Sequence, residues 1–284
     1  MNRAKAKPIF DRAQDIVLWP SRRIRQCAAA HRVFLTRNDK ALAALTDTAR
    51  GDRAFIVGLG PSLQAPDLER IKDLPSLSCN KCFLAFGETA WRLDIYHVAG
   101  INPALNNRSE ILNTDFGPRC IPVHTRVVKP VLKAQTGALF HDYRGSMQKR
   151  RFGEPAYLRK NIAEGLFKGG RTAIIALIQI AYAIGYNEVI LIGVDFNYAI
   201  PLPSAGKTNV PPGTVVSNGE SQHFHKDYFK SGDRWAIPKL DEQRIAFQYC
   251  REAYERTGRR LLNASRNTKL DVIERVDFDS LDLD

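Results

Sequence analysis

Cysteine is sparse in this 284-residue chain, and the five present (Cys27, Cys79, Cys82, Cys120 and Cys250) are an odd, scattered set. That excludes a disulfide framework and fits a reducing compartment. Cys79-Asn-Lys-Cys82 has the spacing of half a zinc site, but no second such pair and no nearby His pair completes four ligands. Packing beside the apolar run Cys82-Phe-Leu-Ala-Phe86 is the better reading. A signal-peptide core is also missing: Ile16-Val-Leu-Trp19 is cut off by Pro20. The longest apolar stretch, Thr172 to Tyr186, contains Gln179 and falls short of the roughly 20 residues that a spanning helix needs. No internal repeat is visible, and no stripe of aromatics interleaved with basic residues suggests an RNA platform. The expectation is a soluble or peripheral cytoplasmic protein, held at the inner membrane face if it binds lipid.

What the chain does have is ordinary globular composition, 44% hydrophobic and 25% charged, and an excess of basic charge, +12. The length suits one large domain with decoration or two small ones. The charge predicts an anionic partner: nucleic acid, anionic lipid or a phosphorylated small substrate. Its distribution is segmental. Residues 1–53 carry twelve basic side chains against five acids, a second cluster runs from Lys149 to Arg171, and the tail from Asp271 to Asp284 holds six acids and one Arg.

Residues 1–50 alternate basic and apolar positions, as in short amphipathic helices broken at Pro20. They either pack on the main domain or lie on an anionic bilayer. From Arg53 onward strands and helices alternate. Ala54-Phe-Ile-Val57 is a short strand, followed by a helical stretch Asp67–Leu74. Further strands are expected at Ser76–Asn80, Ile95–Ala99, Cys120–His124, Val189–Gly193 and Arg260–Asn263. The clearest helix is Thr172–Ile184, with Gly185 placed as its cap, and a last helix spans Lys239–Thr257. This rhythm predicts an α/β fold, doubly wound around a mostly parallel sheet, Rossmann-like, over residues 51–284. Residues 1–50 form a basic helical extension, and segment 199–235 is lid-like, its first part rich in Pro and Gly.

Ligands in such sheets sit outside the carboxyl ends of the strands, where connections diverge. Three polar clusters fall there: Gly58-Leu-Gly-Pro-Ser62, Asn80, and Asp195-Phe-Asn-Tyr198. The glycine turn departs from the dinucleotide fingerprint, because Leu63 stands where a third glycine belongs and Pro61 lacks an N–H. It is either a ligand turn or a structural one. Asp195 either caps a turn or points into the site. Lys168-Gly-Gly-Arg-Thr172 precedes the strongest helix, so cations and free N–H groups converge as in a phosphate cradle. His223 and His225 share one side of an extended, aromatic-rich segment. No third metal ligand accompanies them, and acid/base or phosphate contacts suit them better.

The order of these motifs resembles two related groups. Phe55-Ile-Val-Gly-Leu-Gly-Pro-Ser-Leu63, Cys79-Asn80, Asn102-Pro103, the run Gly170–Tyr198 and Arg260-Leu-Leu-Asn-Ala-Ser265 look like the MptE-like domain, named for an archaeal 6-hydroxymethylpterin diphosphokinase, and like the bacterial sialyltransferases of glycosyltransferase family 42. The likeness covers about residues 53–280 and implies a GT-A-variant-like fold. It implies that Gly58, Gly60, Pro61 and Ser62 form a nucleotide turn, with Asn80 at the nucleotide sugar or base and Asn102 near the donor. Gly170 and Thr172 would lie near its phosphate, and Asn263 with Ser265 near the cytidine.

There are departures. Leu59 replaces an Asn of the sialyltransferase turn, and their catalytic His falls in a segment that here reads Trp235-Ala-Ile-Pro-Lys-Leu-Asp241. A retained base must be His223 or His225, with Asp241 as the fallback. The resemblance implies metal-independent transfer of a nonulosonic or keto-acid sugar from a CMP donor to a glycan or glycolipid, with no cofactor; this chain's own cations Lys168 and Arg171 would then stabilise charge, and Tyr198 and Tyr228 would donate hydroxyls to phosphate. A diphosphokinase would instead need ATP and Mg²⁺, for which Asp195 is available but no convincing second acid.

Overall fold

The strands that alternate with helices are short, and the two central ones, Arg53–Val57 and Glu188–Ile192, end in continuous apolar runs, the pattern of a sheet covered on both faces. In the computed structural model the described residues are 20–98, 101–116, 121–124, 138–149, 154–170, 172–197, 214–219 and 223–283. Strands β1 (Arg53–Val57), β2 (Ser76–Cys79), β3 (Ile95–His97), β8 (Glu188–Ile192), β11 (Arg260–Asn263) and β12 (Glu274–Arg275) form a six-stranded parallel sheet, ordered β12-β11-β8-β1-β2-β3. Between them, β4 (Ile121–His124) pairs with β5 (Ala138–His141), β6 (Tyr143–Ser146) with β7 (Leu166–Lys168), and β9 (Thr214–Val216) with the antiparallel β10 (Arg234–Ala236). The expected α/β, doubly wound architecture is the observed one.

Alternation along the strands divides the core in two. Ala54, Ile56, Leu77, Val189, Leu191 and Leu261 face one layer, while Phe55, Val57, Ile190, Ile192 and Leu262 face the other. The first layer is filled by α6 (Ala173–Ile184), every residue of which is buried. Its one polar side chain, Gln179, bonds both the N–H and the carbonyl of Phe167 (2.8 and 3.0 Å), so it acts as a strand partner for β7. Gly185 ends α6 in the left-handed conformation at φ +112°, which glycine adopts without Cβ strain. Beside it runs α7 (Leu240–Glu255), whose Tyr254 hydroxyl donates to the Ile178 carbonyl at 3.0 Å. On the opposite layer lie α3 (Ala65–Arg70), the 3₁₀ turn Cys82–Gly87, α4 (Ile101–Asn106) and α5 (Arg108–Asn113). The acidic tail closes that side, with Phe278 edge-on to Phe55 and Arg266 bonding Asp67 and Asp279.

The basic N-terminal segment is helical at α1 (20–30) and α2 (Arg37–Ala43), and from residue 20 it is docked on the domain. Ala29 and Leu42 join the α6 layer, and the Asn38 amide makes two 2.8 Å bonds to the Phe140 backbone. Composition sets residues 20–50 apart, yet packing makes them part of the same core. Among the described residues no helix is long and apolar enough to cross a membrane.

Candidate functional site at the carboxyl edge of the sheet

Strand β1 is the switch point of the sheet, with β2 and β3 laid to one side and β8, β11 and β12 to the other. Its exit, Gly58–Ser62, meets the exit of β8, Gly193–Asp195, and the two turns are fastened together. Gly58 N–H donates to Ile192 O (2.7 Å) and Gly60 N–H to Gly193 O (2.8 Å). The Ser62 N–H donates to Asp195 Oδ2 at 2.8 Å, and its hydroxyl donates to Asp195 Oδ1. A Cβ on Gly58 would lie 2.4 Å from Gly193 O, and one on Gly60 2.7 Å from Asp195 Oδ2. The glycines are therefore required by the approach of two protein turns. Leu63, at the place of a third glycine, is buried in the core.

The other strand exits carry similar internal bonding. Asn263 donates to Thr268 Oγ1 and accepts the Ser265 N–H, while Ser265 Oγ accepts the Val194 N–H at 2.8 Å. Gly170, at φ +62°, lies against the first turn of α7: a Cβ there would be 2.5 Å from Gln243 N, and the Gln243 amide donates to Gly170 O. Thr172 is the N-cap of α6, accepting from Ile174 N. Lys168 is exposed, its ammonium 6.0 Å from the Tyr143 ring. Asn102 is half-buried in α4, and Asp241 is exposed in the first turn of α7. Arg171 and Tyr198 lie outside the described residues, as do 199–213 and 220–222 of the lid-like segment.

The edge beyond β2 is different. Asn80 leaves the strand at φ +50°, and its Oδ1 is buried without a hydrogen-bond partner among the described residues. Asn tolerates the left-handed region better than most residues, and its carbonyl oxygen can there accept a bond from a water or from a ligand group. Next to it Lys81 is buried, with its ammonium 3.1 Å from Asp233 and 5.7 Å from the Tyr228 ring. The described parts of the lid-like segment fold back onto this edge. Phe224 N–H donates to Leu59 O at 3.1 Å, tying 223–229 to the glycine turn, and Asn106 donates to Arg234 O.

The two histidines are thereby brought to the turn in distinct states. His223 lies flat on Tyr228, with centroids 3.7 Å apart and planes within 4°, and edge-on to Phe229. Burial first, and the Lys81 ammonium second, push its imidazole down to about 4, so it is neutral at physiological pH. His225 Nδ1 accepts the Asp227 N–H (3.1 Å), which leaves the proton on Nε2, 3.3 Å from Glu88 Oε1. Both nitrogens of His225 are thus engaged within the protein.

Cys79 and Cys82 are buried, and burial pushes the Cys79 thiol up to about 12, the behaviour of packing residues. His97 is buried and stacked on His141, 5.3 Å apart. Among the described residues no three His, Cys, Asp or Glu side chains group as a metal site. Three members of the site escaped sequence reasoning. Lys81 could have been found from its place beside Asn80; Glu88 and Asp233 are distant in sequence and carry no local signal.

No family profile and no curated protein matches the sequence. Among solved structures the chain is similar to the Maf glycosyltransferase from Magnetospirillum magneticum AMB-1, with a TM-score of 0.52 and 18% identity over 87% of this chain. It spans 39% of that protein's length. A weaker likeness, TM-score 0.42 and 13% identity, is to a variant of the sialyltransferase CST-II in complex with CMP, covering 81% of this chain and 89% of that one. The first likeness establishes a shared α/β fold.

Proposed function

We propose that the chain is a metal-independent glycosyltransferase that moves a nonulosonic or related keto-acid sugar from a CMP donor to a hydroxyl of a cell-surface glycan or glycolipid. The observation that carries this reading is Asn80: a left-handed residue with an unpaired buried oxygen, between the glycine turn and the His223 segment. An oxygen of that kind suits a donor group such as a nucleotide amine or hydroxyl. His223 is the base. Its neutral imidazole takes the proton of the acceptor hydroxyl as that oxygen bonds to the anomeric carbon, and the bond from this carbon to the phosphate oxygen breaks, releasing CMP. Lys81 supplies positive charge beside the departing phosphate, and Tyr228 a hydroxyl. Gly58, Gly60, Ser62, Asp195, Asn263 and Ser265 act by holding the edge in shape.

In this reading the partners are a nucleotide sugar and a glycan or glycolipid acceptor in the cytoplasm, with an anionic membrane as a further contact of the N-terminal segment. A 6-hydroxymethylpterin diphosphokinase has less support, because both oxygens of Asp195 are already bonded to Ser62. Titration calorimetry with CMP, a CMP-sugar and ATP with Mg²⁺ separates the two. CMP binding that Asn80→Ala weakens supports the transferase. A folded protein that ignores CMP and CMP-sugars sinks it, and binding of ATP with Mg²⁺ alone promotes the kinase.

A further inference from the structure

Among the basic residues of α1, α2 and the turn between them, two sets stand out. Arg22 and Arg25 face inward, where Asp142 lies 3.5 Å and 2.7 Å away and Asp39 lies 3.8 Å from Arg25. Arg32, Arg37 and Lys40 are exposed, and among the described residues no carboxylate pairs with them. The sequence from residue 20 to 38 contains no acid, and Asp39 is buried. Among these outward cations stand Ile24, Val33 and Leu35, 61%, 51% and 52% exposed, three of the six large exposed hydrophobic side chains among the described residues.

The turn between the helices adds a second observation. Arg32 N–H donates to Ala29 O (2.9 Å) and Val33 N–H to Ala28 O (2.8 Å), the bond pair of a helix stop. In such stops glycine usually takes the left-handed position, and the following apolar residue usually packs back on the helix. Here Arg32 takes that position, at φ +60°, a conformation unfavourable for a side chain with a Cβ, and Val33 points to solvent. Local stability alone would favour neither arrangement.

We propose that this corner docks the protein on an anionic phospholipid bilayer, with Ile24, Val33 and Leu35 entering the headgroup–acyl boundary and Arg32, Arg37 and Lys40 meeting the phosphates. A second copy would set like charges face to face. A nucleic acid would answer the cations but leave three aliphatic side chains without an apolar partner. A bilayer of anionic lipid satisfies both halves of the surface at once. This inference is independent of the transfer chemistry, and its test uses no donor.

The full-length protein is expected to co-sediment with vesicles containing phosphatidylglycerol, to bind pure phosphatidylcholine far less, and to be released by salt. The triple variant Ile24→Ser, Val33→Ser, Leu35→Ser should bind at least tenfold more weakly with an unchanged melting temperature. Arg32→Gly relieves the left-handed backbone, so it should melt no lower than the parent while losing about fivefold in vesicle affinity, the equivalent of ~1 kcal/mol per surface arginine. Equal binding to both lipids, or a triple variant that binds as the parent does, overturns the proposal. So does a triple variant that melts much lower yet still binds, because the patch is then covered by the protein's own chain. Loss of vesicle binding to an excess of generic RNA, with RNA affinity falling in parallel in the triple variant, would assign the surface to nucleic acid instead.

Discussion

The two halves of the sheet's carboxyl edge are built in opposite ways. Around β1, β8 and β11 the polar side chains close on one another: Asp195 takes both bonds from Ser62, and Asn263 and Ser265 tie their own turn to β8. Around β2 the polar groups close on one another less completely, although Lys81 pairs with Asp233 and His223 stacks on Tyr228. Asn80 keeps an unpaired oxygen, Lys81 is a buried cation, and His223 is a buried neutral imidazole. The first half is a clamp that fixes where the second half stands. A residue that looks functional at a strand end can belong to either, and the hydrogen-bond partners tell which.

Damage to the clamp should produce the largest effect. Gly58→Ala sets a Cβ 2.4 Å from a backbone oxygen that cannot move independently of β8, and should lower unfolding stability by about 3 kcal/mol, read from the urea midpoint. A midpoint close to the parent's would mean that the two turns can part, and that the crevice between them is available to a ligand. The next effect belongs to His223. The unfolded chain takes up a proton near 6.5, whereas the native state does so only near 4, so stability is full above pH 6.5 and falls as the pH drops toward 4. Between pH 7.5 and 4.5 this linkage amounts to about 2–3 kcal/mol, and denaturant titrations should show that His223→Gln lacks it.

Asn80→Ala should be smaller in energy and opposite in kind. It should weaken CMP binding about tenfold in calorimetry, close to 1.4 kcal/mol, while the melting temperature stays within a degree or two of the parent's. A large fall in melting temperature with unchanged CMP affinity would move Asn80 to the clamp side of the comparison. The smallest effect is expected from Lys81→Met. It removes the second cause of the depressed His223, and should shrink the pH-dependent loss of stability by less than about 1 kcal/mol. Any uniform destabilisation from leaving Asp233 unpaired is subtracted by comparing slopes against pH.

Much of the scaffold could be read along the chain, because it depends on short-range pattern. The α6 helix with its Gly185 stop and the buried strands β1, β2, β8 and β11 follow from periodicity and cap chemistry. Cys79 and Cys82 are buried, as the apolar run beside them suggested. Site roles were less legible. Ser62 and Asp195 are 133 positions apart and Lys81 and Asp233 are 152 apart, and no local pattern marks either pair. For the N-terminal segment the sequence left packing and membrane contact both open, and in residues 20–50 Asn38, Ala29 and Leu42 pack on the common core.

By itself, then, the sequence determined the class of the fold, the positions of its main strands and helices, and the place where strand ends gather polar residues, because hydrophobic periodicity and turn chemistry act over a few residues. Only the tertiary structure decided which of those polar groups are consumed in holding the edge together and which remain available. That outcome depends on which strand exits become neighbours, and chain pairing across more than a hundred residues sets it.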